Sequence, residues 1–493
     1  MSLKSAAAQR APGYRRLVLG VLLLVYACNS AQRSLIPIIG QAMKVDLKLT
    51  DTQLGLLAGT AFAALYAVSG IPIARLAERF NRVTILSLCL ALWSAFTTLF
   101  AVTGSFLQLL AARVGVGVGE AGCSPCAHSL ISDYYARTRR TSALSVYSCG
   151  LSLGYLFVAL VGSYVTQHYG WRAACVAVGL PGIALAVLLK FLVAEPLRGQ
   201  ADGVPVAPAA RFSLGGELAQ LAAAVRALFL TWPAANIVMG LTVASFASYG
   251  SWAFIPAYFP RAFGLDYATS GWILGIVGSV PVALGILAGG FLTDHLGARS
   301  PRWYALVPAA GLLASTPFYL AALMRSGWPA AAVLLAVPGF LQYISLGPSF
   351  GVVQNVVAVR QRATASALLF LCLNVLALGG GPLFTGFVID QLAQSYFVHG
   401  DAGIGAALVR ALTEGGSGRG AFRAACPGGV APEGAAAQLA RACTQALARG
   451  SRTGIMVTLT LYAWAAAHYL LACVGLARQL RLAAERNAVA EPA

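Results

Sequence analysis

Three ionisable side chains lie inside long apolar stretches of this sequence, namely Arg33, Arg113 and Glu120. A charge at the centre of a bilayer costs ~2.5–3.5 kcal/mol on insertion scales, so such a residue usually faces a cavity or a partner. Guanidinium groups bind carboxylate or phosphate in a bidentate manner. We therefore predict that Arg33 and Arg113 bind an anionic substrate and that Glu120 carries a coupled proton. The alternative is a purely structural ion pair.

Helical geometry places two of these charges on one face. Arg113 and Glu120 are seven residues apart, which is two turns of an α-helix. The second half of the chain has no matching charge and is instead rich in aromatic residues, each of which could also serve core packing or face lipid. Charges on one side of a cavity and rings on the other suit an amphiphile. The predicted substrate-binding residues are Arg33, Arg113, Asn29, Gln32, Tyr249, Trp252 and Tyr343.

Two short motifs resemble chemical sites without their structural context. Cys123 and Cys126 have the spacing of a redox motif but lie within an apolar helix, whereas a reactive thiolate needs exposure. The glycines over 115–119 lack the preceding strand of a dinucleotide site. We predict no catalytic residues, no metal, no cofactor and no enzymatic activity.

Composition places these residues in a membrane protein. The chain has 493 residues, of which 58% are hydrophobic and 10% are charged, whereas a soluble protein has roughly 25% charged residues. This excludes a soluble enzyme and, despite the net charge of +18, a nucleic-acid binder. A span needs about 20 apolar residues. We predict twelve: 16–39, 52–76, 83–103, 105–131, 141–166, 172–193, 233–259, 268–292, 303–323, 329–358, 362–392 and 453–478.

The distribution of cations sets the expected orientation. With both termini in the cytoplasm, the inner segments hold far more Lys and Arg than the short outer loops. A Gly/Pro/Ala stretch, followed by apolar residues at helical spacing, separates two halves. The predicted domains are a cytoplasmic tail (1–15), a six-helix bundle (16–193), a linker with an amphipathic helix (194–232), a second bundle (233–478) with an extracytoplasmic insertion (393–452), and a cytoplasmic tail (479–493).

A repeated motif supports two related halves. The segments 74–82 and 290–299 share the pattern small-x-Leu-x-acid-base, followed by a turn and Arg. This pattern resembles the major facilitator superfamily. The resemblance implies an all-α integral membrane fold of two pseudo-symmetric six-helix bundles, with substrate bound near the midplane. It also implies a cytoplasmic gate formed by Arg75, Glu78, Arg79, Arg82, Asp294 and Arg299.

Several segments of the first half resemble the Spinster family more narrowly. They are 51–63, 66–77, 93–94, 113–121, 124–125, 129–134, 170–172 and 195–196. The resemblance implies transport of lysophospholipids or sphingoid-type lipids. One position departs from the family pattern, because Gln32 stands where the family has Asp, and Gln carries no titrating proton. The alternatives are a transporter of a sugar acid or other small organic anion, and a non-transporting receptor.

The insertion contains two cysteines, Cys426 and Cys443, on the oxidising side of the membrane, so we predict a disulfide between them. Thirty of the 34 cations are Arg, a bias that is common in bacteria with GC-rich genomes. This bias favours a location in a bacterial inner membrane. We also expect the protein to be a monomer. Its partners would be membrane lipids, an amphiphilic or small anionic substrate and protons.

Overall fold

The computed structural model describes residues 11–135, 143–144, 146–197, 214–357, 362–400, 403–413 and 420–489. Within these ranges the chain folds into helices joined by short turns, with no β-strand. The all-α prediction is therefore confirmed.

The helices up to residue 192 carry the first group of predicted spans. They are α1 (Pro12–Asp46), α2 (Asp51–Gly55), a π-helical turn (Leu56–Thr60), α3 (Ala61–Arg79), α4 (Arg82–Leu99), a 3-10 turn (Phe100–Val102), α5 (Phe106–Glu120), α6 (Cys123–Tyr134), α7 (Gly150–Phe157), a second π-helical turn (Val158–Gly162) and α8 (Ser163–Leu192).

The helices after residue 213 carry the remaining predicted spans and the predicted insertion. They are α9 (Leu214–Phe229), α10 (Trp232–Trp252), α11 (Ile255–Phe263), α12 (Tyr267–Gly297), α13 (Trp303–Leu323), α14 (Trp328–Tyr343), α15 (Leu346–Asn355), α16 (Arg362–Leu371), a π-helical turn (Cys372–Leu378), α17 (Gly379–His399), α18 (Ile404–Thr413), α19 (Ala421–Ala425), a 3-10 turn (Pro427–Gly429), α20 (Ala437–Ala472) and α21 (Leu476–Val489).

Ten helices in the described ranges are long and apolar enough to cross a membrane. One of them, Val146–Leu192, is interrupted at Gly170, whose φ of +83° is unsuited to residues with a Cβ. A further pair, α9 and α10, is bent by 84°. The bend separates the predicted amphipathic linker helix from the seventh predicted span. Twelve spans are consistent with this arrangement.

Contacts divide the chain into two compact units. Unit 1 contains residues 1–49, 56–210 and 265–275, and unit 2 contains 50–55, 211–264 and 276–493. Local chemistry sets several helix starts in unit 1. Asn81 accepts from the Thr84 amide ahead of α4, and Ser105 accepts from the Gln108 amide ahead of α5. Such caps satisfy amides that have no partner within the helix.

The predicted insertion (393–452) contributes to a small core in unit 2. The Sγ atoms of Cys426 and Cys443, the pair expected from the sequence, are bonded, with their Cα atoms 5.7 Å apart. The buried residues around this bond are Leu392, Ala393, Tyr396, Ala407, Phe422, Ala446 and Leu447. The insertion is thus a packed structure attached to α17 and α20.

Candidate functional site

The first feature of the site is an ion pair within unit 1. Arg33 of α1 donates through Nε and Nη2 to the same oxygen of Glu120, Oε2, at 3.1 and 3.0 Å. The Glu120 side chain is 0% exposed and the Arg33 side chain is 28% exposed. The second Glu120 oxygen, Oε1, is buried without a hydrogen-bond partner in the described part of the chain. Asn29, one turn earlier on α1, lies beside this carboxylate.

Arg113 lies in the same cluster but bonds to the backbone. Its Nε donates to the Leu57 carbonyl at 3.0 Å, and its Nη2 donates to the Arg33 carbonyl at 3.3 Å. Leu57 belongs to the π-helical turn, whose wider hydrogen bonding leaves a carbonyl available to a side chain. Nη1 of Arg113 is buried and has no partner in the ranges described. One guanidinium nitrogen therefore remains for a ligand.

Aromatic faces support the two cations. The Phe62 ring centroid lies 4.7 Å from Cζ of Arg33 and 4.9 Å from Cζ of Arg113, and Tyr66 lies 5.2 Å from Arg33. Cation–π contacts of this kind stabilise a desolvated guanidinium. Gly117 of α5 allows this approach, because a Cβ there would lie 2.8 Å from the Phe62 carbonyl oxygen. With two cations and one carboxylate, the cluster has a surplus positive charge.

Gln32 lies in a different environment from its neighbour Arg33. Its Nε2 donates to Ser94 Oγ, the Val178 carbonyl and Cys28 Sγ, each at 3.1 Å, and its Oε1 accepts from Thr97 at 3.0 Å. The side chain is fully buried. The amide therefore joins α1 to α4 and α8.

The predicted aromatic residues lie in unit 2. Tyr249 is exposed, while Trp252 and Tyr343 are partly buried. Trp252 Nε1 donates to the hydroxyl of Tyr319 at 3.3 Å. Two buried neighbours, Gln342 and Tyr462, are not among the residues predicted from the sequence, because neither carries a charge at neutral pH. A lone amide within an apolar span was the available signal.

A second buried ion pair in unit 2 was also missed. Arg261 Nη2 lies 2.6 Å from Asp51 Oδ1, and Arg261 Nη1 donates to Ser451 at 2.8 Å. Asp390 accepts from the backbone amides of Asp51 and Thr52 at 3.0 and 2.7 Å. A carboxylate at a helix N-terminus is favourable, so Asp390 stabilises the start of α2. Arg261 lies between the predicted spans 233–259 and 268–292, so nothing in the sequence indicated a buried ion pair there.

The residues expected to form a cytoplasmic gate are only partly described. Arg82 is buried, and it lies 2.6 Å from Glu195 and 2.5 Å from Asp133 within unit 1. Arg79 and Arg299 are exposed. The side chains of Arg75, Glu78 and Asp294 lie outside the described part of the structure. In the described residues, no group of three His, Cys, Asp or Glu side chains is placed to hold a metal ion.

Comparison with known proteins identifies the family. The family model of the Major Facilitator Superfamily matches residues 22–382. The chain belongs to this superfamily. The solved structure of a bacterial homolog of the human lysosomal transporter Spinster, inward-facing and unoccupied, superposes with a TM-score of 0.80 at 29% identity. The match covers 95% of this chain and 99% of that one, so the chain is a Spinster-like member.

Curated relatives are transporters as well. An MFS-type efflux pump of Mycolicibacterium smegmatis is 32% identical over 76% of this chain and 84% of its own length. A probable L-galactonate transporter of Escherichia coli is 23% identical over 78% and 85%. A sphingosine-1-phosphate transporter of Danio rerio is 27% identical over 71% of each chain. The protein is therefore a multi-pass membrane transporter and not an enzyme.

Proposed function

We propose that this chain is a secondary active transporter of an amphiphilic anion, a lysophospholipid or a sphingoid-type lipid, and that it works by alternating access. The observation that carries the proposal is the unequal burial of the Arg33–Glu120 pair. Arg33 is partly exposed and is held by one carboxylate oxygen, while Glu120 is fully buried behind it. An arriving anion can therefore compete for Arg33 without first uncovering Glu120.

Exchange of partners at Arg33 would couple substrate to protons. When the guanidinium turns to the substrate anion, Glu120 loses both hydrogen bonds from Arg33 and its one direct ion pair in the described residues, and only the more distant Arg113 remains as a counter-charge. An unpaired carboxylate in a low-dielectric site is costly and is neutralised by taking up a proton. Release of the substrate returns Arg33 to Glu120 and expels the proton. Gln32 carries no titrating proton, so this scheme assigns coupling to Glu120 alone.

The amphiphilic character of the substrate follows from the residues around the cation. Phe62 and Tyr66 present aromatic faces to Arg33, so an anion bound there has an apolar neighbour. Resemblance to the sphingosine-1-phosphate transporter supports the same substrate class. A sugar acid is the second candidate, because the relative from Escherichia coli is a probable L-galactonate transporter and a guanidinium binds carboxylate as well as phosphate.

Orientation and gating complete the proposal. We place both termini in the cytoplasm of a bacterium with the chain in the inner membrane, since Lys and Arg are concentrated in the segments that this topology makes internal. A cysteine introduced at Ser2 is expected to react with a membrane-impermeant maleimide in inverted vesicles and not in intact cells. Labelling from outside would contradict this orientation. In the same topology, the cytoplasmic gate comprises Arg75, Glu78, Arg79, Arg82, Asp294 and Arg299.

The proposed function is tested in proteoliposomes with and without a pH gradient, using lysophosphatidic acid and L-galactonate as separate substrates. Arg33→Ala is expected to abolish binding and transport, and Arg33→Lys to restore only part of both, since Lys keeps the charge but loses the forked geometry. Glu120→Gln is expected to retain binding and downhill exchange and to lose gradient-driven accumulation.

The matched control is Arg172→Ala, which breaks an exposed ion pair with Asp46 in the same unit. Wild-type transport that does not respond to the gradient, or an unchanged response in Glu120→Gln, would show that Glu120 does not couple protons. Binding that survives Arg33→Ala would show that the arginine is structural.

A further inference from the structure

A buried polar cluster in unit 2 has one hydrogen-bond donor left over. The hydroxyl of Tyr462 donates to Oε1 of Gln342. This contact orients the amide and leaves its NH2 group to the surroundings. Nε2 of Gln342 has no hydrogen-bond partner in the described chain, although the residue is only 3% exposed. A buried donor without a partner is unfavourable, so an acceptor that reaches Nε2 is bound more tightly than one that cannot.

The residues around this amide are held in place. The rings of Tyr319 and Tyr462 are stacked at 5.7 Å with an interplanar angle of 9°, and both are fully buried. The Trp252 indole donates to the Tyr319 hydroxyl. Because the aromatic side chains fix one another, the Gln342 amide is oriented before any ligand arrives, which lowers the entropic cost of binding.

Two helices end beside the cluster. Helix α14 ends at Tyr343, immediately after Gln342, and α15 starts at Leu346, close to the middle of the Trp328–Asn355 span. Helix α10 likewise ends at Trp252. Partly exposed Trp252 and Tyr343 stand at these two helix ends.

We propose that Gln342, positioned by Tyr462 and Tyr319, is a second substrate subsite that binds an uncharged hydroxyl or carbonyl oxygen. This inference rests on the proposed function, because it takes the transported molecule as the ligand. The same chemistry is present in the glycerol backbone of a lysolipid and in the hydroxyls of a sugar acid. A plain alkyl anion lacks it. The subsite therefore selects among anions by their oxygen-bearing part.

The test compares anions that differ only in that part. Oleoyl lysophosphatidic acid is paired with oleyl phosphate, and L-galactonate is paired with hexanoate. Equilibrium binding to the purified full-length protein is expected to favour the oxygen-rich member of the transported class about tenfold. Gln342→Met keeps the length of the side chain and removes the amide. The variant is expected to weaken binding of the oxygen-rich anion about threefold to tenfold, which is within the range of one hydrogen bond. Its affinity for the plain anion should stay within about twofold of the wild-type value.

Two further variants make the result decisive. Thr385→Val removes a buried hydroxyl contact to Thr458 elsewhere in unit 2 and is expected to keep the wild-type preference. Tyr462→Phe keeps the stacked ring and frees Oε1 of Gln342, and we expect it to reduce the preference even if Gln342→Met does not fold. If the wild-type protein binds none of the four anions, the proposed function and the subsite are both wrong. If it binds anions without the preference, or if Gln342→Met keeps the preference, only the subsite is wrong.

Discussion

Replacing Arg261 by Met isolates the effect of burial on an ion pair. The Arg261–Asp51 pair is 2.6 Å long, with side chains that are 2% and 0% exposed. The Arg172–Asp46 pair is 2.5 Å long, with side chains that are 43% and 45% exposed. Distance is nearly constant between them, so a difference in their energetic effect must come from solvent exposure. The two pairs lie in different units and do not share a residue.

The expected magnitudes differ several-fold. Removing one partner of a buried pair leaves an uncompensated charge and costs about 3–5 kcal/mol, whereas an exposed pair contributes about 0.2–1 kcal/mol. An unfolding entropy of about 2.1 cal/mol/K per residue amounts to roughly 1 kcal/mol/K for a cooperative chain of this length. Arg261→Met should therefore lower the unfolding temperature by about 3–5 °C, and Arg172→Met by about 1 °C or less.

The assay is thermal unfolding of purified protein in one detergent, followed by intrinsic fluorescence. The double variant Asp51→Asn with Arg261→Met removes both charges, so it should recover most of the lost stability. Equal shifts for Arg261→Met and Arg172→Met would refute the reasoning from burial. A double variant no more stable than Arg261→Met would show that the loss comes from packing and not from an unpaired carboxylate.

Two other predictions concern close contacts and covalent links. Gly117→Ala should weaken binding of lysophosphatidic acid about tenfold or more, because its Cβ would lie 2.8 Å from the Phe62 carbonyl oxygen and separate α5 from α3. The control in the same assay is Gly20→Ala, since a Cβ at Gly20 would have no atom within 4 Å. Unchanged binding in Gly117→Ala would argue against the close approach. Cys426 and Cys443 should resist alkylation until reductant is added. Changing both to Ser should lower the stability of the insertion by about 3 kcal/mol for a loop of this size. Alkylation of both thiols without reductant would contradict the bond.

Hydropathy predicted the helices because lipid leaves the backbone few alternatives. A chain that crosses the bilayer must satisfy its amides internally, so long apolar runs become helices whatever their neighbours. A structural ion pair between Arg33 and Glu120 could be predicted as the alternative to substrate binding for a similar reason. Opposite charges attract most strongly in an apolar medium. The Spinster-like assignment followed from motifs concentrated in the first half of the chain.

Other contacts depend on residues far apart in the sequence and were not predictable from spacing. Gln32 is predicted to bind substrate, and its partners within the protein come from α4 and α8, which no periodicity on α1 reveals. Arg261 was assigned to a loop, although tertiary packing buries it against Asp51. Gln342 carries no charge, so nothing in its residue type distinguishes it from a packed core amide. Polar groups in helices acquire their function from tertiary partners.

The length of α20 has a mechanical consequence. Its 36 residues extend about 54 Å at 1.5 Å per residue, whereas the hydrocarbon core is about 30 Å thick. The excess corresponds to the segment that carries Cys443, where the small core also holds residues of α17. The two helices therefore share one packed core at this end. An antibody fragment bound to this insertion would act as a rigid pointer, reporting by its tilt the motion of both helices.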